Sequence, residues 1–79
     1  MIFLIEYDRS RGEIVTFETF FDSERRVAEN TRLELEIRLN RNNVDHEVVI
    51  LEADSEAAVR RTHRRYFESL AELATPSSQ

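Results

Sequence analysis

Cysteine, lysine and tryptophan are absent from this 79-residue chain, and glycine and proline occur once each. Without cysteine there is no disulfide, no thiolate metal site and no cysteine nucleophile. With one glycine there is no room for a Gly-rich phosphate loop. No apolar run approaches the roughly 20 residues that span a bilayer. The opening Met1-Ile2-Phe3-Leu4-Ile5 has no basic region before it and is interrupted by Glu6, so it reads as a strand rather than a secretory signal. A cytoplasmic location is the resulting expectation.

What is present is 41% apolar and 34% charged, with a formal net charge of −5. That apolar share is ample for a folded core, and the length allows one small domain. Chains this short bury only about 60% of their unfolded surface, so self-association is a natural supplement to the core. All eleven cationic side chains are arginine. A net negative charge disfavours broad polyanion binding unless the arginines gather on one face.

Ile2 to Arg9 and Glu13 to Phe20 are rich in β-branched and aromatic residues and read as a hairpin. Placing Arg9 opposite Glu13 leaves the three-residue loop Ser10-Arg11-Gly12, with Gly12 at the position that needs positive φ. This register sets Tyr7 against Val15 and Ile5 against Phe17, giving one apolar face of Phe3, Ile5, Tyr7, Val15 and Phe17. The other face, Ile2, Leu4, Glu6, Ile14, Thr16, Glu18 and Phe20, is polar in the middle and apolar toward one end.

The stretch Glu24 to Leu39 decides the topology. Leu33, Leu35, Ile37 and Leu39 alternate with charged residues, which is a strand signal. Against it stand the length of the segment, its wealth of Leu, Glu and Arg, and three i,i+4 pairs: Arg25 with Glu29, Arg32 with Glu36, Glu34 with Arg38. The helix prevails. Asp22 or Ser23 caps its start, and the asparagines between 40 and 43 suit its end. Its apolar face is Val27, Ala28, Thr31, Leu35 and Leu39.

Val44 to Ala53, apolar on both faces at its centre, is the third strand, expected to run parallel to the first after the helical crossover. Asp54 then caps a second helix reaching about Ala74, with Val59, Thr62, His63, Tyr66, Leu70 and Leu73 along its apolar side and Phe67 at the margin. The expectation is an α+β, two-layer β-β-α-β-α sandwich over residues 1–74. Its three-stranded mixed sheet has order 2-1-3, and a tail occupies 75–79.

Four arginines, Arg60, Arg61, Arg64 and Arg65, fall within two turns of that second helix and form a candidate patch for an anionic partner. No nucleic-acid-binding signature accompanies them, and a solvated helix face is the preferred explanation of them. Asp45-His46-Glu47 lacks metal-ligand spacing, since neighbours on a strand point to opposite faces. His63 reads as a boundary residue. Ile2, Leu4, Phe20, Leu33 and Ile37 are left as surplus apolar surface and a candidate interface.

No cofactor, metal or catalytic constellation is expected. The functional expectation is a non-enzymatic interaction or accessory module that forms a homodimer. Two alternatives are a nucleic-acid-associated protein using the arginine patch and a ligand-binding domain with a cleft between subunits.

Overall fold

Residues 1–68 are described by the structure, a computed structural model. Strand β1 (Ile2–Asp8) and strand β2 (Glu13–Phe20) form the hairpin. A 3-10 turn (Asp22–Glu24) leads into helix α1 (Arg25–Arg41), followed by strand β3 (Glu47–Glu52) and helix α2 (Glu56–Thr62). A second 3-10 turn covers Arg64–Tyr66. The sheet order is β2-β1-β3, as the sequence leads one to expect.

Both pairings in the sheet are antiparallel, which corrects the expected parallel β1–β3 ladder. The reason is parity. The hairpin reverses the chain, α1 carries it back along the sheet, and β3 therefore runs parallel to β2. With β1 between them, β3 is antiparallel to β1. The crossover requirement is met, but it links β2 to β3.

The hairpin loop also differs from expectation. Asp8 pairs with Glu13, so the loop is the four residues Arg9–Gly12, and the register shifts between Glu6 and Tyr7. The cause is the Asp8 carboxylate, whose Oδ1 accepts the Ser10 N–H at 3.0 Å, the Ser10 hydroxyl at 2.7 Å and the Arg11 N–H at 3.2 Å. Asp8 thereby draws the turn toward itself. The surplus residue, Val15, bulges out of the ladder and is 54% exposed. Ile14 takes the place beside Tyr7 expected of Val15. Gly12 does adopt the left-handed conformation, with φ 67°.

α1 starts and ends close to the predicted limits. The Glu24 carboxylate accepts the Phe21 N–H at 2.8 Å, rather than Asp22 or Ser23 providing a side-chain cap. At the other end Asn43 takes φ 56° while the N–H groups of Asn42, Asn43 and Val44 close on the last turn. Asparagine tolerates the left-handed region better than other non-glycine residues. Ala28 and Leu35 are buried, Thr31 and Leu39 half-buried, and Val27 exposed.

The even-numbered face of β1 lies beneath α1. Arg25 bonds Glu52, which pairs with Ile2, and Thr31, Leu35 and Arg38 line a groove with Thr16 and Glu18. The odd-numbered face meets the chain after β3, where Tyr66 and Phe67 pack on Ile5, Tyr7, Ile14, Phe17, Val49 and Leu51. The sheet is thus flanked on both faces, where two layers were expected. A strand whose every residue is buried, as β1 is, has to be covered from both sides.

β3 is shorter than the expected 44–53. The cap of α2 is Ser55, whose Oγ accepts the Ala58 N–H at 3.1 Å, in place of Asp54. α2 stops at Thr62 because His63 leaves helical geometry, with φ −126° and ψ 52°. The expected continuation through Leu70 and Leu73 to Ala74, and the tail 75–79, lie outside the described residues.

Candidate functional site

β3 is an edge strand fastened at both ends. At its start, His46 Nδ1 lies 2.6 Å from Glu6 Oε2 and its Nε2 lies 3.5 Å from Asp8 Oδ2. Glu6 is buried, and its second oxygen accepts the Thr16 hydroxyl at 2.7 Å. Paired this way, a carboxylate on the inner face of a central strand loses far less by leaving water than it would alone. Ser10, ahead of its neighbour Arg11, holds the Asp8 carboxyl below the usual 3.8 against the opposing effect of burial, with His46 adding a smaller favourable contribution.

On the opposite face Glu47 accepts the Tyr66 hydroxyl at 2.6 Å and Arg65 Nη2 at 2.9 Å. The Arg65 guanidinium lies 4.2 Å from the Tyr66 ring centre, and the Tyr7 hydroxyl donates to the Arg65 carbonyl at 3.3 Å. The Tyr66 hydrogen bond, then Arg65, hold Glu47 below its usual 4.5 although burial opposes them. Burial and Glu47 push Tyr66 above 10.0. At the far end of β3, Arg25 bonds Glu52, and Met1 and Ala53 exchange two backbone bonds of 2.9 and 3.1 Å.

That last exchange determines which way the edge faces. Hydrogen-bonded pairs alternate along an antiparallel ladder. If Met1 and Ala53 form such a pair, so do Phe3 with Leu51, Ile5 with Val49 and Tyr7 with Glu47. The N–H and C=O groups of Val48, Ile50 and Glu52 therefore point away from β1. Nothing among the described residues pairs with them, and no bulge or proline interrupts the row. The outer edge of β2 is different, because the Val15 bulge breaks it. Bulges, prolines and charges are the usual protection of a free edge. β3 has carboxylates at its two ends and none between.

The residues singled out from sequence separate. Arg60 pairs with Glu56 at 2.8 Å and lies 4.6 Å from the Phe67 ring centre; Arg64 pairs with Glu68 at 3.5 Å; Arg65 is engaged as described. Arg61 alone of the four has no carboxylate partner among the described residues. They do not form one helical face, since the helix ends between the two pairs. Ile2 and Leu4 are fully buried under α1 and belong to the core, which corrects their place in the candidate interface. Phe20 is half-buried, while Leu33 and Ile37, 57% and 48% exposed, lie on the side of α1 away from the sheet.

Sequence reasoning misses the roles of Glu6, Asp8 and Tyr66, and for His46 it finds no partner beyond its strand neighbours. The available signal is the pair Glu6 and Asp8 on an otherwise apolar strand, which obliges a buried polar partner. Among the described residues no group of three His, Asp or Glu side chains is placed to hold a metal ion, and no helix is long and apolar enough to cross a membrane. Compared with known proteins, the chain matches no family model, no curated protein and no solved structure.

Proposed function

We propose that this chain is a non-enzymatic cytoplasmic interaction module that binds by adding a strand to the free edge of β3. The supporting observation is the uninterrupted outward row of Val48, Ile50 and Glu52, beside a second edge broken by a bulge. Strand addition draws affinity from main-chain hydrogen bonds and specificity from alternate side chains. Anchoring β3 through His46, Glu47 and Glu52 holds the strand in place without using its outward groups. A pre-ordered edge binds at lower entropic cost than one that must first be ordered.

Amide hydrogen exchange on the full chain tests this. Raising the protein concentration, or adding a capped eight-residue peptide of alternating threonine and valine, slows exchange at Val48, Ile50 and Glu52. Val49 and Leu51, already bonded to β1, stay unchanged. Ile50→Pro removes an outward N–H without breaking a hydrogen bond to β1, so it abolishes the added protection while far-UV circular dichroism keeps its shape. Unchanged exchange at all three amides under both conditions rejects the proposal.

A further inference from the structure

Resting on the strand-addition reading, we infer that the partner is a second copy of this chain, paired β3 to β3 in antiparallel register with Ile50 opposite Ile50. In that register Val48 faces Glu52 of the other copy, so all three outward residues enter hydrogen-bonded pairs. Val49 lies beside Leu51, and Glu47 lies opposite Ala53. No glutamate meets a glutamate across the join. The two-fold axis is perpendicular to the sheet and puts both α1 helices on the same face, side by side and antiparallel.

The flank of α1 toward β3 is built for that neighbour. Arg25, Glu29, Arg32 and Glu36 follow one another at spacings of four, three and four residues, a single stripe on a helix. Arg25 reaches Glu52, and Glu36 lines a groove of about 230 Å³ with His46 and Val48, so the stripe faces the free edge. Its order is Arg, Glu, Arg, Glu. Reversed by a two-fold axis, Arg25 falls opposite Glu36 and Glu29 opposite Arg32, each charge meeting its opposite.

The two registers also coincide. The stripe's midpoint lies about 8 Å along α1 from Arg25, at ~1.5 Å per residue. Ile50 lies about 7 Å along β3 from Glu52, at ~3.4 Å per residue. Because Arg25 and Glu52 are in contact, one axis serves both elements. All four side chains are about half exposed in the single chain and paired only along their own helix or to Glu52. The dimer joins them into one network across the axis. Its six-stranded sheet leaves only the bulged β2 strands as edges.

Charge exchange tests the register at exposed positions where folding is not at stake. Wild-type chain is expected to be dimeric in sedimentation velocity, dissociating on dilution. R32E sets a second carboxylate against Glu29 twice across the axis, and E29R sets two guanidinium groups together in the same way. Each weakens the dimer roughly tenfold in Kd at low salt. An equimolar mixture of R32E and E29R restores it as a heterodimer, and so does the double exchange E29R/R32E within one chain. A monomer at every concentration overturns self-pairing, as does a dimer indifferent to all three changes. If the monomer still gains protection at Val48, Ile50 and Glu52 from the threonine–valine peptide, strand addition stands and only the second copy is refuted. If it gains none, both fall.

Discussion

His46 and Glu6 stand 2.6 Å apart although forty residues separate them in the chain. Their contact joins the segment leading into β3 to the middle of β1, on the face covered by α1. Glu6 is buried and has Thr16 as its other partner. Removing His46 leaves that carboxylate half-satisfied in a poorly hydrated place. His46→Ala is therefore expected to destabilise the fold by about 2–3 kcal/mol, below the usual cost of breaking a fully buried pair because the imidazole edge reaches water. Glu6→Gln keeps an acceptor for Thr16 and a hydrogen-bonding group toward His46, and should cost under about 1 kcal/mol. Urea denaturation of both variants checks this. Equal losses would mean that the charge on Glu6 matters more than its hydrogen bonds.

The hairpin turn offers a contrast between two neighbouring positions. Gly12 has φ 67°, so Gly12→Ala places a Cβ where it crowds the backbone and should cost about 1 kcal/mol. Val15 sits in the bulge with its side chain outside the core. Val15→Thr should change stability by less than about 0.5 kcal/mol. Had Val15 occupied the apolar face beside Tyr7, the introduced hydroxyl would be buried and the loss several times larger. Thermal unfolding of the two variants distinguishes the arrangements.

That contrast also marks how far the sequence is legible. Element order and the extent of α1 are readable because each rests on local pattern: alternation, i,i+4 pairs, asparagines at a helix end. Sheet order follows from the connections instead, a tight hairpin and one helical crossover. The bulge is not, since Ile14 and Val15 are both apolar and either can face inward. The choice is made by the Asp8 carboxylate, which captures three donors from its own loop. The direction of β3 comes out wrong from sequence when the crossover is attached to β1, although the chain enters it from β2. Ile2 and Leu4 read as surface because an apolar end to a strand face looks the same whether a helix or a partner covers it. The site itself is the least legible. His46, Glu6 and Asp8 come together only through strand pairing between distant segments, and the outward row of β3 is a property of main-chain direction to which side chains give no clue.

Substitutions among the arginines after β3 should rank by what each side chain touches. Arg65 bonds Glu47 and Tyr66 and covers the Tyr66 ring, so Arg65→Ala removes packing as well as charge and should cost about 1–2 kcal/mol. Arg60, stacked near Phe67 and paired with Glu56, should cost about half as much. Arg61 and Arg64 should lie within about 0.5 kcal/mol of wild type. Equilibrium denaturation gives the order directly. A flat series would return the four to the status of a solvated patch available to an anionic partner. In that case salt-dependent binding of single-stranded nucleic acid becomes the measurement to make.

The Glu47–Tyr66 hydrogen bond bounds stability at both ends of the pH scale. Glu47 is held below its usual 4.5, so its contribution is complete above that unfolded value and is lost as pH falls through the lowered folded value. Tyr66 is pushed above its usual value, so its contribution is complete below about 10 and is lost as pH rises through the raised folded value. Tyr66→Phe abolishes the alkaline loss attached to this group. It also shallows the acid limb, because the Tyr66 hydroxyl is the largest influence holding Glu47 ionised. Glu47→Gln should shallow the acid limb while leaving a tyrosine to titrate at high pH. Thermal midpoints recorded from about pH 2 to about pH 11 for wild type and both variants separate these effects. An acid limb identical in all three would assign the acid dependence to Asp8, the other carboxylate held down by its neighbours, and Ser10→Ala would then be the variant that flattens it.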